Sequence, residues 1–264
     1  MQTPNSAFVR QWWDNVVTLG AQGYVRAGEG RMRQLSDAFR GTDPVVASLC
    51  ASTRASWIRQ AGRHSDAATV DGAAASFAFA GTDADPSAST VAALGDALTG
   101  LAADNLGIGR FGASGRLLNR VEEEVLPAIG SDAGFIFGDR IHLRWCWVST
   151  ELALYRGDFA AAVEHSGRGV DAARSVPSER HRIKTDLIAA ATSAANDDVD
   201  TARALAASCA RRCAGNGLLP LRWAALTMLS GMADQAGQRE GEREGVGTEL
   251  ADIATELRRR GMYM

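Results

Sequence analysis

Several features that would assign this 264-residue sequence to a familiar class of protein are missing from it. It has no apolar run of the roughly 18 residues that a membrane span requires. Met1 to Arg26 lacks the basic start and apolar stretch of a signal peptide. The 28 basic residues face 31 acidic ones, and a net charge of −3 argues against nucleic-acid binding. The sequence therefore predicts a cytoplasmic protein that binds neither a membrane nor nucleic acid.

Cysteine and histidine are also scarce, with four residues of each. The cysteines lack the spacing of a disulfide framework, so we expect free thiols. Cys209 and Cys213 lie four residues apart, but a zinc site needs a second short pair of ligands. No histidine belongs to a catalytic-triad pattern, and the glycines of 107–112 follow no strand that would make them a dinucleotide site. The sequence predicts no metal, no cofactor and no enzymatic activity.

Proline is rare but regularly spaced. Five of the six prolines follow one another at intervals of 42, 41, 50 and 43 residues, at Pro44, Pro86, Pro127, Pro177 and Pro220. Because proline interrupts helices, this spacing predicts a helical unit that repeats about every 43 residues. A second marker is a turn residue followed five positions later by a small residue: Gly62 with Ala67, Gly109 with Ser114, Gly157 with Ala162, and Asp197 with Ala202. The two markers together indicate internal repeats.

Each repeat has the pattern of two helices joined at the turn. Apolar residues recur at helical spacing, and the alternation typical of strands is absent. The predicted helices are 6–19, 24–39, 45–61, 65–80, 113–126, 139–156, 159–174, 200–214, 221–232 and 248–260. Ser65 and Asp200 are expected to cap the helices that they begin. The charged, glycine-bearing segment 236–247 is expected to be a flexible loop.

The turn from Leu154 to Val163 resembles that of a tetratricopeptide repeat (TPR), and Gln60 to Ala68 is a weaker copy. The repeat here is 40–48 residues long instead of 34, and the family's Trp-x-x-Leu-Gly-x-x-Tyr pattern is missing. The resemblance implies an all-α fold, a right-handed α-solenoid of about five to six antiparallel helical hairpins forming one domain over residues 1–264. It also implies a concave face, lined by the first helix of each hairpin, that binds peptides or proteins.

Basic residues recur at one register when the first helices are aligned by their turns. The basic candidates for partner binding are Arg140, Arg144, Arg180, Lys184 and Arg222. On neighbouring helices, Arg144, Lys184 and Arg222 would form a stripe able to hold a carboxylate or phosphate. The alternative is that these side chains are solvated or paired with nearby acids such as Glu151.

Trp147 completes the predicted partner-binding set. It lies two residues from Trp145 and therefore roughly 200° around the same helix. One of the two should face the groove or solvent, where an aromatic side chain can anchor a partner. The alternative is that both are buried between layers of helices.

These features lead to two functional hypotheses. The first is a non-enzymatic scaffold or adaptor that binds a protein or peptide carrying an acidic or carboxylate group. The second is a ligand- or peptide-sensing regulatory module that resembles the helical effector domains of bacterial transcription regulators, without a DNA-binding domain of its own. The two hypotheses differ in the size of the ligand: a scaffold should bind a macromolecule, whereas a sensor should close on a small ligand. A terminal hairpin lacks one neighbour, so it could also pair with a second copy to form a homodimer.

Overall fold

The computed structural model describes residues 6–39, 43–80, 87–130, 133–236 and 240–263. In this part of the chain there are twelve α-helices and no β-strand, which confirms the predicted all-α class. The helices are α1 (Ser6–Ala21), α2 (Val25–Phe39), α3 (Pro44–Gln60), α4 (His64–Ala80), α5 (Ala88–Gly107), α6 (Phe111–Arg120), α7 (Arg140–Arg156), α8 (Phe159–Ala173), α9 (Glu179–Ala195), α10 (Val199–Gly215), α11 (Leu219–Ala236) and α12 (Glu240–Arg260). Within these ranges, no helix is both long and apolar enough to cross a membrane.

The turns inside the hairpins lie where the repeat marker predicts them. Gly62, Gly109 and Gly157 join α3 to α4, α5 to α6 and α7 to α8, with φ values of 74°, 77° and 72°. This left-handed conformation is easiest for glycine because it has no Cβ. Asp197, at φ 63°, has the equivalent place between α9 and α10. Four successive hairpins therefore share one turn geometry.

Aspartates and prolines fix several helix starts. The Asp43 carboxylate accepts hydrogen bonds from backbone N–H groups in the first turn of α3, and Pro44 is the first residue of that helix. Pro44 therefore begins a helix, which corrects the interpretation of the prolines as helix stops. Asp198 caps α10, and the expected caps Asp200 and Ser65 were wrong because each lies one residue inside its helix.

The helices pack against their neighbours in chain order. In addition, α1 contacts α3, α3 contacts α5, α5 contacts α7 and α7 contacts α9. Among the residues described, direct contact between successive even-numbered helices is much sparser. The odd-numbered helices from α1 to α9 therefore form a continuous layer. Within it, α5 and α7 bury side chains on nearly every side.

The two ends of the chain contact each other. Helix α1 meets α11, and α2 meets α12. Arg260 Nη1 donates a hydrogen bond of 2.7 Å to the carbonyl of Gln22, and the Arg260 guanidinium lies 4.1 Å from the centre of the Tyr24 ring. Beside them, the fully buried Leu257 packs directly on Gly23. The contacts between helices therefore form a closed cycle.

Two segments differ from the sequence expectations. Helix α12 begins at Glu240, so residues 240–247 are helical where a loop was expected, and residues 237–239 lie outside the described part. Glutamate and arginine favour helix, and glutamate is favourable near a helix N-terminus. Helix α6 ends at Arg120 and is followed by a π-helical turn, Val121–Val125. A single domain over residues 1–264 stays a prediction.

Candidate functional site

Two of the predicted residues, Arg140 and Arg144, lie one turn apart on α7 and contact the same acid. Arg140 Nη1 donates to Asp96 Oδ1 of α5 at 2.8 Å, and Arg144 forms a close ion pair with that oxygen. Burial opposes a charge on Asp96, but the guanidinium groups of Arg140 and Arg144 outweigh it and hold the carboxyl pKa below its ordinary value. Asp96 is therefore an ionised acid shared by two arginines.

A π-helical turn, Phe135–Asp139, positions Arg140. In this turn the backbone N–H of Arg140 bonds to the carbonyl of Phe135, five residues earlier. The carbonyl of Ile136, which would accept that N–H in an α-helix, instead accepts from Arg140 Nε at 3.0 Å. The guanidinium also lies 4.5 Å from the centre of the Trp13 ring of α1. Arg140 is thus fixed by contacts from α1, α5 and the π-helical turn.

Arg180, in the first turn of α9, forms no ion pair within the described residues, because its neighbour Glu179 accepts instead from Arg182 and Arg212. Its side chain is half-buried, and among the described residues it has no hydrogen-bond or ion-pair partner. Burial, together with the positive charges of Arg144 and Arg140, lowers the pKa of Arg180 to about 10. We call Arg140, Arg144 and Arg180 the arginine cluster. Two of its three guanidinium groups pair with one carboxylate, Asp96, and that of Arg180 pairs with no acid among the described residues.

The other two basic candidates are neutralised by acids on other helices. Lys184 Nζ lies 3.2 Å from Glu151 of α7, and Arg222 of α11 forms a close ion pair with Glu249 of α12. The pairing of Lys184 with Glu151 is the alternative considered for the stripe. That Arg144, Lys184 and Arg222 share one face stays a prediction, but the ion pairs leave little unbalanced charge at Lys184 and Arg222.

Trp147 is not an exposed anchor, which corrects the hypothesis that it faces the groove. It is 8% exposed, and Trp145 is 1% exposed. Trp147 Nε1 donates a hydrogen bond of 2.9 Å to Thr185 Oγ1, and its ring stacks on His181 of α9 with centres 5.6 Å apart. Both tryptophans are buried because α7 lies between α5, α8 and α9. Trp147 therefore joins α7 to α9.

A second polar cluster, absent from the predicted set, lies where α3, α4 and α5 meet. Arg59 Nε donates to Asp104 Oδ1 at 2.6 Å, and Arg59 also forms a close ion pair with Asp71. Neither carboxyl has exposed side-chain surface. Burial is the main cause that raises the pKa of Asp71 to about 8, and Asp104 adds to it. Near neutral pH, Arg59 thus faces two carboxyl groups, of which that of Asp71 is largely protonated.

The sequence contains a signal for this second cluster. Asp71 follows Ala67 by four residues and precedes Ala74 by three, so it lies on the alanine face by which α4 packs. Asp96 and Asp104 are eight residues apart and so share a face of α5. An acid at a buried helical position requires a basic partner, and this rule points to Arg59 and Arg140 only once the fold is known.

The geometry suits anion binding better than acid–base or metal chemistry. The acids Asp71 and Asp104 are fully buried, so no substrate reaches them in this conformation. Across the described residues, no three histidine, cysteine, aspartate or glutamate side chains form a group that could hold a metal ion. All four cysteines are free thiols. No family model matches the chain, and no curated protein matches it.

Proposed function

We propose that this chain is a non-enzymatic helical-repeat protein that binds a protein or peptide partner and holds an anionic group of that partner at the arginine cluster. The single observation behind this proposal is Arg180. A half-buried guanidinium beside two others, without an acid of its own, destabilises the free protein. Charged groups in such costly environments are typical of binding sites, where the ligand supplies the missing charge.

The architecture that we propose is a TPR-like, right-handed α-solenoid of six hairpins in the cytoplasm. It is supported by the shared turn geometry at Gly62, Gly109 and Gly157 and by the continuous layer of odd-numbered helices. In such a solenoid the odd-numbered helices form the inner layer, and α7 and α9 bring the arginine cluster to it. The chain ends contact each other, which covers part of the surface that a terminal hairpin would offer to a second copy.

Binding of a labelled acidic peptide tests this proposal. We would measure fluorescence anisotropy with a hexaglutamate peptide and with hexaglutamine as the neutral control. The proteins are the wild type, Arg180→Gln, and the matched control Arg174→Gln. Among the described residues, the exposed Arg174 guanidinium pairs only with Asp171, near the end of α8. A charge-assisted hydrogen bond contributes about 1.5–3 kcal/mol, so Arg180→Gln should weaken binding by roughly tenfold or more. Equal affinity for both peptides, or for both variants, would contradict the proposal.

Contact between the chain ends favours a second candidate function, a regulatory module that responds to a small ligand. A module of this kind changes the population of open and closed forms when the ligand prefers one of them. The contacts of Arg260 with Gln22 and Tyr24 would stabilise the closed form. Small-angle X-ray scattering should then show the radius of gyration decreasing when the ligand binds. An unchanged radius with bound ligand favours the scaffold.

A further inference from the structure

The charge balance of the arginine cluster defines the charge of its ligand, an inference that rests on the proposed function. Three guanidinium groups and the single carboxylate of Asp96 leave an excess of two positive charges. Solvent reaches the cluster, because the Arg144 side chain is 18% exposed and Arg180 is half-buried. A ligand that neutralises this excess must therefore carry two negative charges.

Neighbouring charged groups do not supply the missing negative charge. Arg59 pairs with both Asp71 and Asp104, and burial raises the pKa of Asp71 to about 8, so that carboxyl is largely protonated near neutral pH. Farther along α7, Glu151 is paired with Lys184. Both groups are close to neutral as wholes, so the excess at the arginine cluster remains.

The hydrogen-bond donors indicate where the ligand lies. Arg140 uses Nε and both terminal nitrogens on Ile136 and Asp96. Arg144 bonds to Asp96 through Nη1, and Arg180 has no partner among the described residues. The available donors therefore belong to Arg144 and Arg180, on the adjacent helices α7 and α9.

We propose that Arg144 and Arg180 bind a compact oxyanion with two negative charges, of the phosphate or phosphate monoester type. The planar donor fork of a guanidinium matches two oxygens of a phosphate, and a phosphate offers three acceptor oxygens to two such forks. A single carboxylate has two oxygens and one charge, so it leaves half of the excess positive charge uncompensated. The phosphate group arrives either as the free ion or on a peptide.

Isothermal titration calorimetry with simple anions tests the charge requirement. The titrants are inorganic phosphate, sulfate and acetate at pH 7.5, with ionic strength held constant by sodium chloride. We expect phosphate and sulfate to bind at least tenfold more tightly than acetate. Arg180→Gln should weaken phosphate binding at least tenfold, whereas the control Arg174→Gln should bind as the wild type does. Circular dichroism would verify that each variant is folded.

A phosphoserine peptide and its unphosphorylated form distinguish the two sources of the phosphate group. Tighter binding of the phosphopeptide than of inorganic phosphate indicates a peptide ligand, and the reverse order indicates the free ion; both outcomes support a dianion site. Equal affinity for acetate and sulfate would overturn the inference, as would unchanged phosphate binding in Arg180→Gln.

The outcomes separate this inference from the proposed function. If phosphate and sulfate require Arg180 but neither hexaglutamate nor the phosphopeptide binds, the dianion site is supported and the peptide-binding function is contradicted. If hexaglutamate binding requires Arg180 while phosphate and sulfate bind no better than acetate, the function is supported and the inference about the ligand's charge is wrong.

Discussion

Replacing Arg180 by glutamine should make the ligand-free protein more stable. Burial and the charges of Arg144 and Arg140 lower the pKa of Arg180 to about 10. At about 1.4 kcal/mol per pKa unit, the difference from the ordinary arginine pKa corresponds to at most about 3.5 kcal/mol. Water screens the half-buried side chain, so we expect a gain of about 1–2 kcal/mol. For a chain of 264 residues, that raises Tm by about 2–4 °C.

Thermal unfolding followed by circular dichroism measures this effect, in dilute sodium chloride without phosphate or sulfate. The exposed control Arg174→Gln should change the free energy of unfolding by less than about 0.5 kcal/mol. Higher sodium chloride should reduce the difference between Arg180→Gln and the wild type, because salt screens the repulsion. Sulfate should stabilise the wild type but not Arg180→Gln. A lower Tm for Arg180→Gln would refute the reasoning, since it would mean that Arg180 makes a stabilising contact.

Four further predictions concern stability and reactivity. Asp96→Asn removes the buried acid shared by Arg140 and Arg144 and should lower the free energy of unfolding by about 3–5 kcal/mol in urea titrations. The pKa of Asp71 is raised to about 8 in the folded protein, so folded Asp71 keeps a proton that the unfolded chain releases, and its contribution to stability falls as pH rises from about 4 to about 8. An asparagine at this position does not titrate, so the stability of Asp71→Asn relative to the wild type should be higher at pH 7.5 than at pH 5.5 in urea titrations. Gly23→Ala adds a Cβ that overlaps Leu257 and should cost about 1–3 kcal/mol, more than Gly62→Ala, where the space is open and only the positive φ is unfavourable. Burial raises the pKa of all four thiols, those of Cys50, Cys146, Cys209 and Cys213, to about 11 or 12. A disulfide reagent such as DTNB should therefore label them slowly at pH 8 until urea unfolds the protein.

Local signals in the sequence indicated ten of the twelve described helices and most of the turns, and no range was predicted for α5 or α9. Helical spacing of apolar residues and the turn residues Gly62, Gly109, Gly157 and Asp197 act over a few neighbouring positions, so they can be recognised without a fold. The same register of basic residues identified Arg140, Arg144 and Arg180 as candidates. Where local signals are weak, the expectation was wrong, as in residues 240–247, which are helical although they lack an apolar face.

Only the tertiary structure decided which charges are balanced and which side chains are exposed. Asp96 lies 44 and 48 residues from the two arginines that it pairs with, and Arg260 lies 238 residues from its acceptor Gln22. The spacing of residues along one helix gives the direction of a side chain but not the group that meets it from another helix. For this reason the sequence alone could not show that Trp147 is buried, that Lys184 pairs with Glu151, or that Arg180 has no acidic partner among the described residues. Burial and charge balance depend on contacts between distant segments, and those exist only once the helices have packed.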